Sequence, residues 1–145
     1  MDAELQRLVD ERAIIDLTAR YTWAIDSLDR SALEQVFLPD ATAVLGAGEV
    51  TGFEAIWGRI HGVLSRLDAS QHVLGSQIVE VGGDAGRSRC YFVAQHIRAG
   101  LEGGSHYVVA GKYEDDVVRT PAGWRIKRRV LTTIWTEGNP QLFQA

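Results

Sequence analysis

Apolar residues recur over the first 28 positions at Leu5, Leu8, Val9, Ile14, Ile15, Leu17, Tyr21, Ala24, Ile25 and Leu28. That spacing is close to the 3.6-residue period of a helix with one buried face, and Asp2 stands where a side chain can cap its start. Ser31-x-x-Glu34 has the form of a capping box. A second, short helix is therefore predicted from Ser31, ending before Pro39 and anchored by Phe37 and Leu38. Asp40 to Val50 reads as two short strands joined through Gly46-Ala47-Gly48. Thr51-x-x-Glu54 then predicts the cap of a third helix, whose stripe of Phe53, Ile56, Trp57, Ile60, Leu64 and Leu67 must cover something apolar.

From Ala69 onward the texture changes to long β-rich runs, punctuated by Gly82-Gly83-Asp84, Gly103-Gly104 and Pro121-Ala122-Gly123. Four strands are predicted, at roughly 69–81, 86–100, 104–119 and 123–137, joined by short loops as an antiparallel meander. Helices first and a long sheet afterwards is an α+β layout. Long twisted sheets curl, so a curved antiparallel sheet forming a cone closed by three N-terminal helices is the expected architecture, as one domain over residues 1–145. The open end of such a cone is a natural apolar pocket.

Composition narrows the function classes. The 145 residues are 46% hydrophobic and 23% charged, with a net charge of −4 and a pI near 5.5. An acidic chain is a poor partner for nucleic acid, and no apolar run approaches the ~18 residues of a membrane span. The acidic, amphipathic start is unlike a signal peptide, so a cytoplasmic protein is expected. The single Cys90 excludes an internal disulfide and a cysteine metal cage, and is expected to pack in the core. His61, His72 and His96 lack short-range ligand spacing, so no metal site is expected; His61 and His106 read as structural or surface residues. Gly46-x-Gly48-x-x-x-Gly52 has the wrong spacing for a dinucleotide fingerprint, and no serine sits in a G-x-S-x-G elbow. Arg125, Lys127 and Arg128 read as solvated strand positions beside Arg129.

Two residues 46 positions apart are the main chemical candidates: Asp26, at the tail of the first helix, and His72, at the head of a strand. A carboxylate behind an imidazole fixes its tautomer and favours the imidazolium that forms on taking a proton. His72 alternates with Leu74, Ser76 and Ile78, an apolar face suited to a cone interior. A lone histidine there is also an ordinary hydrogen-bonded core residue, and Asp26 is also a plausible helix-end turn residue, with Asp29 available for the same job. Tyr21 shares the buried stripe of Leu17, Ala24 and Leu28 but lies about 140° around an ideal helix from Asp26. Both reach one pocket only if the helix ends or bends there. His96 shares a face with Cys90, Phe92 and Ala94, as core histidine or second acid. Arg129 alternates oppositely to Trp124 and Ile126, so a bulge is needed to turn all three inward.

Several phrases occur in an order that resembles the SnoaL-like group of the nuclear transport factor 2-like superfamily. They are Ile15-Asp16-Leu17 with Arg20-Tyr21 and Asp26, Phe37-Leu38-Pro39-Asp40-Ala41, Gly52 with Ile56, His72, Gly111-Lys112-Tyr113 with Asp115, and Gly123-Trp124-Arg125-Ile126 with Arg129. Within that group the pattern is nearest to scytalone dehydratase, bile-acid 7α-dehydratase and hexachlorocyclohexane dehydrochlorinase, which are lyases without cofactors. The resemblance implies His72 as general base, Asp26 as the carboxylate that orients it, Tyr21 as a pocket donor and Arg129 as a pocket arginine. It places His96 about where a second pocket histidine occurs, one residue out of register. Trp57, Phe92, Tyr113 and Trp135 are candidate substrate contacts, Trp135 being equally suited to a subunit interface. The implied activity is a cofactor-independent dehydratase acting on a small hydrophobic carbonyl compound. A ketosteroid-type isomerase or polyketide cyclase with the same base, and a non-catalytic ligand-binding or small-subunit module, are the alternatives. A homodimer or homotrimer is implied by the same resemblance.

Overall fold

A computed structural model describes all residues, 1–145. Helix α1 runs Ala3–Asp26, α2 Arg30–Glu34 and α3 Phe53–Leu64; strands are β1 Phe37–Val44, β2 Glu49–Thr51, β3 Ala69–Gly82, β4 Ala85–Ile97, β5 His106–Thr120 and β6 Gly123–Gly138. A short 3-10 turn, Pro140–Phe143, follows. The strands form one open sheet in the order β2-β1-β6-β5-β4-β3, curled around the helices. The four long strands fall where the turn signals put them.

The sheet is not wholly antiparallel, as expected from the meander: β1 pairs parallel with β6, Ala43 opposite Arg129. A parallel partner arrives through a long crossover, which no local pattern encodes. β1 also begins earlier than Asp40, at Phe37, so Phe37 and Leu38 are strand residues rather than anchors of α2. Pro39 is tolerated because the β1–β6 ladder shifts register between Phe37 and Thr42, where its missing N–H removes no ladder bond.

Asp2 caps α1, its carboxylate accepting from Leu5 N at 2.8 Å. The buried side of that helix carries Ile14, Leu17, Tyr21, Ala24 and Ile25 and lies across β3. Both predicted capping boxes are corrected. The cap of α2 is Asp29, which accepts from Ala32 N at 3.0 Å, while Ser31 is already inside the helix. The cap of α3 is Gly52, with no side-chain bond, because Thr51 is the end of β2 and pairs with Thr42. A sequence of the form S/T-x-x-E marks a helix start only if the first residue is free of other pairing.

The core fills the space between the helices and the concave face of the sheet: Ile14, Leu33, Val36, Ile56 and Ile126 are fully covered. Three bulges set which side chains reach it. At Ser76, with φ +55°, β3 gains a residue against β4. The inward row therefore continues through Gln77 and Val79 instead of Ser76 and Ile78, and Ile78 lies on the outer surface. Lys127 is extra between Ile126 and Arg128, which turns Trp124, Ile126 and Arg129 all inward, as the sequence required of an inward Arg129. The third bulge lies beside Gly111, where a Cβ would sit 2.1 Å from the Thr132 carbonyl oxygen and 3.1 Å from the Phe92 ring. Only glycine lets the sheet close so tightly under Phe92.

Candidate active site

Helix α1 ends at Asp26, and the chain leaves it through Leu28 at φ +51° with Asp29 N bonded back to Ala24 O. That stop solves the angular problem between Tyr21 and Asp26, since the last side chain of a helix can swing across its end. Asp26 reaches the head of β3. Its Oδ1 accepts from Ser70 Oγ at 2.8 Å and lies 2.7 Å from His72 Nδ1, while its Oδ2 accepts the His72 backbone N–H at 2.8 Å. Ser70 and His72 are two residues apart on one strand and so share a face. Burial, the largest influence on Asp26, works to raise its pKa, but the bonds from the His72 ring, the His72 backbone and Ser70 together outweigh it and hold the carboxyl below its usual value. An ionised Asp26 makes Nδ1 the protonated nitrogen of a neutral His72 and leaves Nε2 as the basic one. The His72 side chain is 8% exposed and lies on the wall of a cavity.

That cavity, about 460 Å³, opens between α3, the concave sheet and the C-terminal turn. Most of its lining is apolar, including Ile25, Ile60, Phe92, Val109, Leu131 and Phe143. The polar exceptions include Tyr21, His72, His96, Tyr107 and Tyr113. His96 meets His72 edge-on with ring centroids 5.8 Å apart, and its Nδ1 lies 2.9 Å from the Tyr107 carbonyl oxygen, so Nδ1–H donates. Burial pushes the His96 pKa down; the Tyr107 carbonyl works against this and the neighbouring His72 with it. His96 is therefore neutral at ordinary pH and presents Nε2 as an acceptor. The two histidines differ in what stands behind them: a carboxylate behind His72, and only a neutral carbonyl behind His96, which burial keeps uncharged.

Arg129 is completely buried beneath the cavity and does not contribute to its lining. Its Nε and Nη2 donate to the two oxygens of Asp115, each at 2.7 Å, and its guanidinium lies 4.1 Å from the ring centroids of both Tyr21 and Tyr113. Nη1 has no hydrogen-bond partner. Burial raises the pKa of Tyr21 and raises that of Tyr113 further, Arg129 opposing in both cases, so both phenols keep their protons. Arg129 thus acts on the cavity through the tyrosines, and the expectation of direct contact from the pocket wall is corrected.

The structure brings together His72, Asp26, Tyr21, His96, Phe92 and Tyr113, the last two stacked at 4.4 Å. It leaves out two of the named tryptophans. Trp57 faces His61 at 5.2 Å on the edge of the α3 stripe, outside the lining. Trp135 is 48% exposed and also lies outside it, opposite Ala110 in the β5–β6 ladder. Cys90 packs as expected, its thiol pushed up to about 11 by burial. No cluster of three or more metal-ligating side chains is present, and no helix is long and apolar enough to cross a membrane.

Residues that sequence reasoning passed over are Ser70, Arg59, Tyr107 and Phe143. Ser70 was signalled by its two-residue spacing from His72. Arg59 was signalled by its place beside Ile60 and three residues after Ile56, on the apolar stripe of α3. Phe143 had no local signal: its ring meets His96 at 4.8 Å because Arg66 and Arg98 grip the Phe143, Leu142 and Gln144 carbonyls.

The curled sheet closed by three helices is the fold of a nuclear transport factor 2-like superfamily protein of Salmonella enterica, which superposes with a TM-score of 0.78 at 19% identity, covering 89% of this chain and 94% of that one. The chain belongs to the SnoaL-like domain family, whose model matches residues 6–130. It is 36% identical over 126 residues to the uncharacterised protein Rv2910c of Mycobacterium tuberculosis, covering 85% of this chain and 84% of that one. Terrestric acid biosynthesis cluster protein E of Penicillium crustosum is 26% identical over 141 residues, covering 94% and 90%. Among solved structures, the type 3 hexachlorocyclohexane dehydrochlorinase of Novosphingobium barchaimii superposes with a TM-score of 0.83 at 19% identity, covering 95% of each chain.

Proposed function

We propose that the protein is a cofactor-independent lyase that dehydrates a small, largely hydrophobic, carbonyl-bearing metabolite, with His72 as general base and Asp26 as its orienting carboxylate. The observation that carries this reading is the 2.7 Å contact of His72 Nδ1 with Asp26 on the wall of an apolar cavity. His72 Nε2 takes the proton from the carbon next to the carbonyl, and the positive charge it acquires is balanced by Asp26. The C–H electron pair moves into the enolate, whose oxygen is met by a phenolic O–H of Tyr21, kept protonated and backed by the Arg129 charge. The enolate then expels the hydroxyl on the next carbon, which leaves as water with the proton that His72 carries. His96 cannot supply that proton from Nε2, since its ring is neutral with Nδ1 committed to Tyr107; it accepts a substrate hydroxyl instead. The likeness to a dehydrochlorinase fold and to a biosynthetic-cluster protein supports an elimination on a metabolite.

The test is a panel of β-hydroxy carbonyl compounds followed by mass spectrometry. Loss of water by the wild type, abolished in His72→Ala with an unchanged circular dichroism spectrum, is expected. Turnover that survives His72→Ala eliminates the base, and a product of unchanged mass assigns an isomerase in place of the dehydratase.

The outer sheet face belongs to the same proposal as a homo-oligomer surface. Val73, Val93, Ala110 and Trp135 stand in one row across four strands, with three of them well exposed. Such a row is what a second copy would cover. Light scattering should give a dimer or trimer, reduced to monomer by Trp135→Glu.

A further inference from the structure

Of the twenty residues that line the cavity, Arg59 is the only one with a permanent charge. The nearby carboxylates are already committed: Asp26 behind His72, Asp115 behind Arg129. No acidic side chain neutralises Arg59, which takes part in no ion pair. From these observations we infer that the ligand of this cavity is an organic anion, a hydrophobic carboxylate whose charged end is held by Arg59 while its apolar body lies against Phe92 and Leu131. This rests on the reading above that the cavity is the substrate site, and it adds the class of substrate: an acid bearing the reacting carbonyl.

The geometry of Arg59 suits that role. It projects from α3 at the position three after Ile56 and one before Ile60, both buried, so its stem is fixed by the packed face of the helix. Its Nη1 donates to the carbonyls of Leu45 and Ala47 in the turn between β1 and β2, two residues that also line the cavity. Those bonds anchor one corner of the guanidinium. The Nε and Nη2 donors make no hydrogen bond to the protein, and that pair is the edge of the fork that grips a carboxylate with two parallel bonds. A cation held in place before the ligand arrives loses less freedom on binding than a mobile one. The cavity contains no fixed negative charge to repel an anion and would pay heavily for a cationic ligand next to a forming imidazolium. An ammonium-bearing substrate is excluded on the same grounds.

The test uses 2-naphthylacetate and its uncharged twin 2-naphthylacetamide, titrated by calorimetry into the full-length protein. The acid is expected to bind at least about tenfold more tightly than the amide, the scale of one charge-assisted bidentate contact. Arg59→Gln should bring the acid down to the level of the amide and leave the amide unchanged. His72→Asn should preserve the preference, since the cation that selects the acid is Arg59 and not a protonated His72. Equal affinities in the wild type, a preference that survives Arg59→Gln, a preference lost in His72→Asn, or no binding of either probe at millimolar concentration each overturns the inference. Binding is read here without turnover. A failed dehydration assay therefore leaves an Arg59-dependent preference standing, and an absent preference leaves the His72 assay standing.

Discussion

The chain contains two tight carboxylate–base pairs a short way apart in the same core, and they differ in what they can do. Asp115 and Arg129 are 1% and 0% exposed, share two bonds of 2.7 Å, and lie sealed between Tyr21, Tyr113 and the sheet. Asp26 and His72 are 21% and 8% exposed and share one side-chain bond of 2.7 Å and one backbone bond of 2.8 Å, with His72 on a cavity wall. The first pair holds a permanent charge that never leaves its guanidinium. The second holds a ring that can gain and lose a proton and has a nitrogen to spare for doing so. Identical spacing thus yields a fixed electrostatic cushion in one place and a candidate proton acceptor in the other. What separates them is the base chosen and whether one face of it reaches open space.

Breaking the sealed pair should give the largest effect on the fold. Arg129→Met strands Asp115 in the core and should cost about 3–5 kcal/mol in urea denaturation. Adding Asp115→Leu should recover most of that loss, because the pair's cost lies in the orphaned charge. If the single substitution is neutral, the pair is not sealed as described. In the open pair, Asp26→Asn should cost less stability, about 1–3 kcal/mol, while reducing any His72-dependent turnover by about 10²-fold or more. Ser70→Ala removes one donor from Asp26 and should cost about 1 kcal/mol, with only a few-fold loss of turnover.

The last effect concerns pH and uses a third carboxylate as a contrast. Asp10 is held down at about 2, chiefly by Arg119, whose two bonds of 2.7 and 2.8 Å outweigh the opposing effect of burial. Its folded pKa lies below the ordinary 3.8, so the unfolded chain binds the proton more readily. The stabilisation from Asp10 is complete above pH 3.8 and is lost as the pH falls towards 2. His96 has the same sign at higher pH: its neutral, buried form is favoured, so stability starts to decline as the pH drops below 6.5. Thermal melts should show two descending steps on acidification, the lower one flattened in Asp10→Asn and the upper one in His96→Phe. Melts that stay level between pH 7 and 5 would remove the upper step.

Much of this was legible from residues alone, for physical reasons. Turn dipeptides fixed the ends of β3 to β6 because few residues tolerate the left-handed backbone that hairpins need. The buried stripe of α1 was legible only from Ile14 onward; Leu5, Leu8 and Val9 continue the same spacing but stand exposed, because periodicity marks a helix face and not what packs on it. Asp26 and His72 needed the family resemblance as well, since nothing in a single sequence reports a contact across 46 positions. The caps of α2 and α3 were misread because Ser31 and Thr51 fit the same pattern as true caps; only tertiary pairing of Thr51 with Thr42 decides against it. The parallel β1–β6 pairing and the placing of Phe143 depend on long-range closure and leave no periodic trace. Bulges explain the mixed fate of the strand residues: alternation alone put Ile78 inside and could not place Arg129, and one inserted residue in each strand settled both.

The most direct measurement is the tautomer of His72, read from imidazole nitrogen shifts and couplings in ¹⁵N-labelled protein. The neutral ring is expected to carry its proton on Nδ1, towards Asp26, with Nε2 unprotonated and facing the cavity, and Asp26→Asn should shift the proton to Nε2. A wild-type ring protonated on Nε2, or a spectrum indifferent to Asp26→Asn, would contradict the reading of His72 as a steered base.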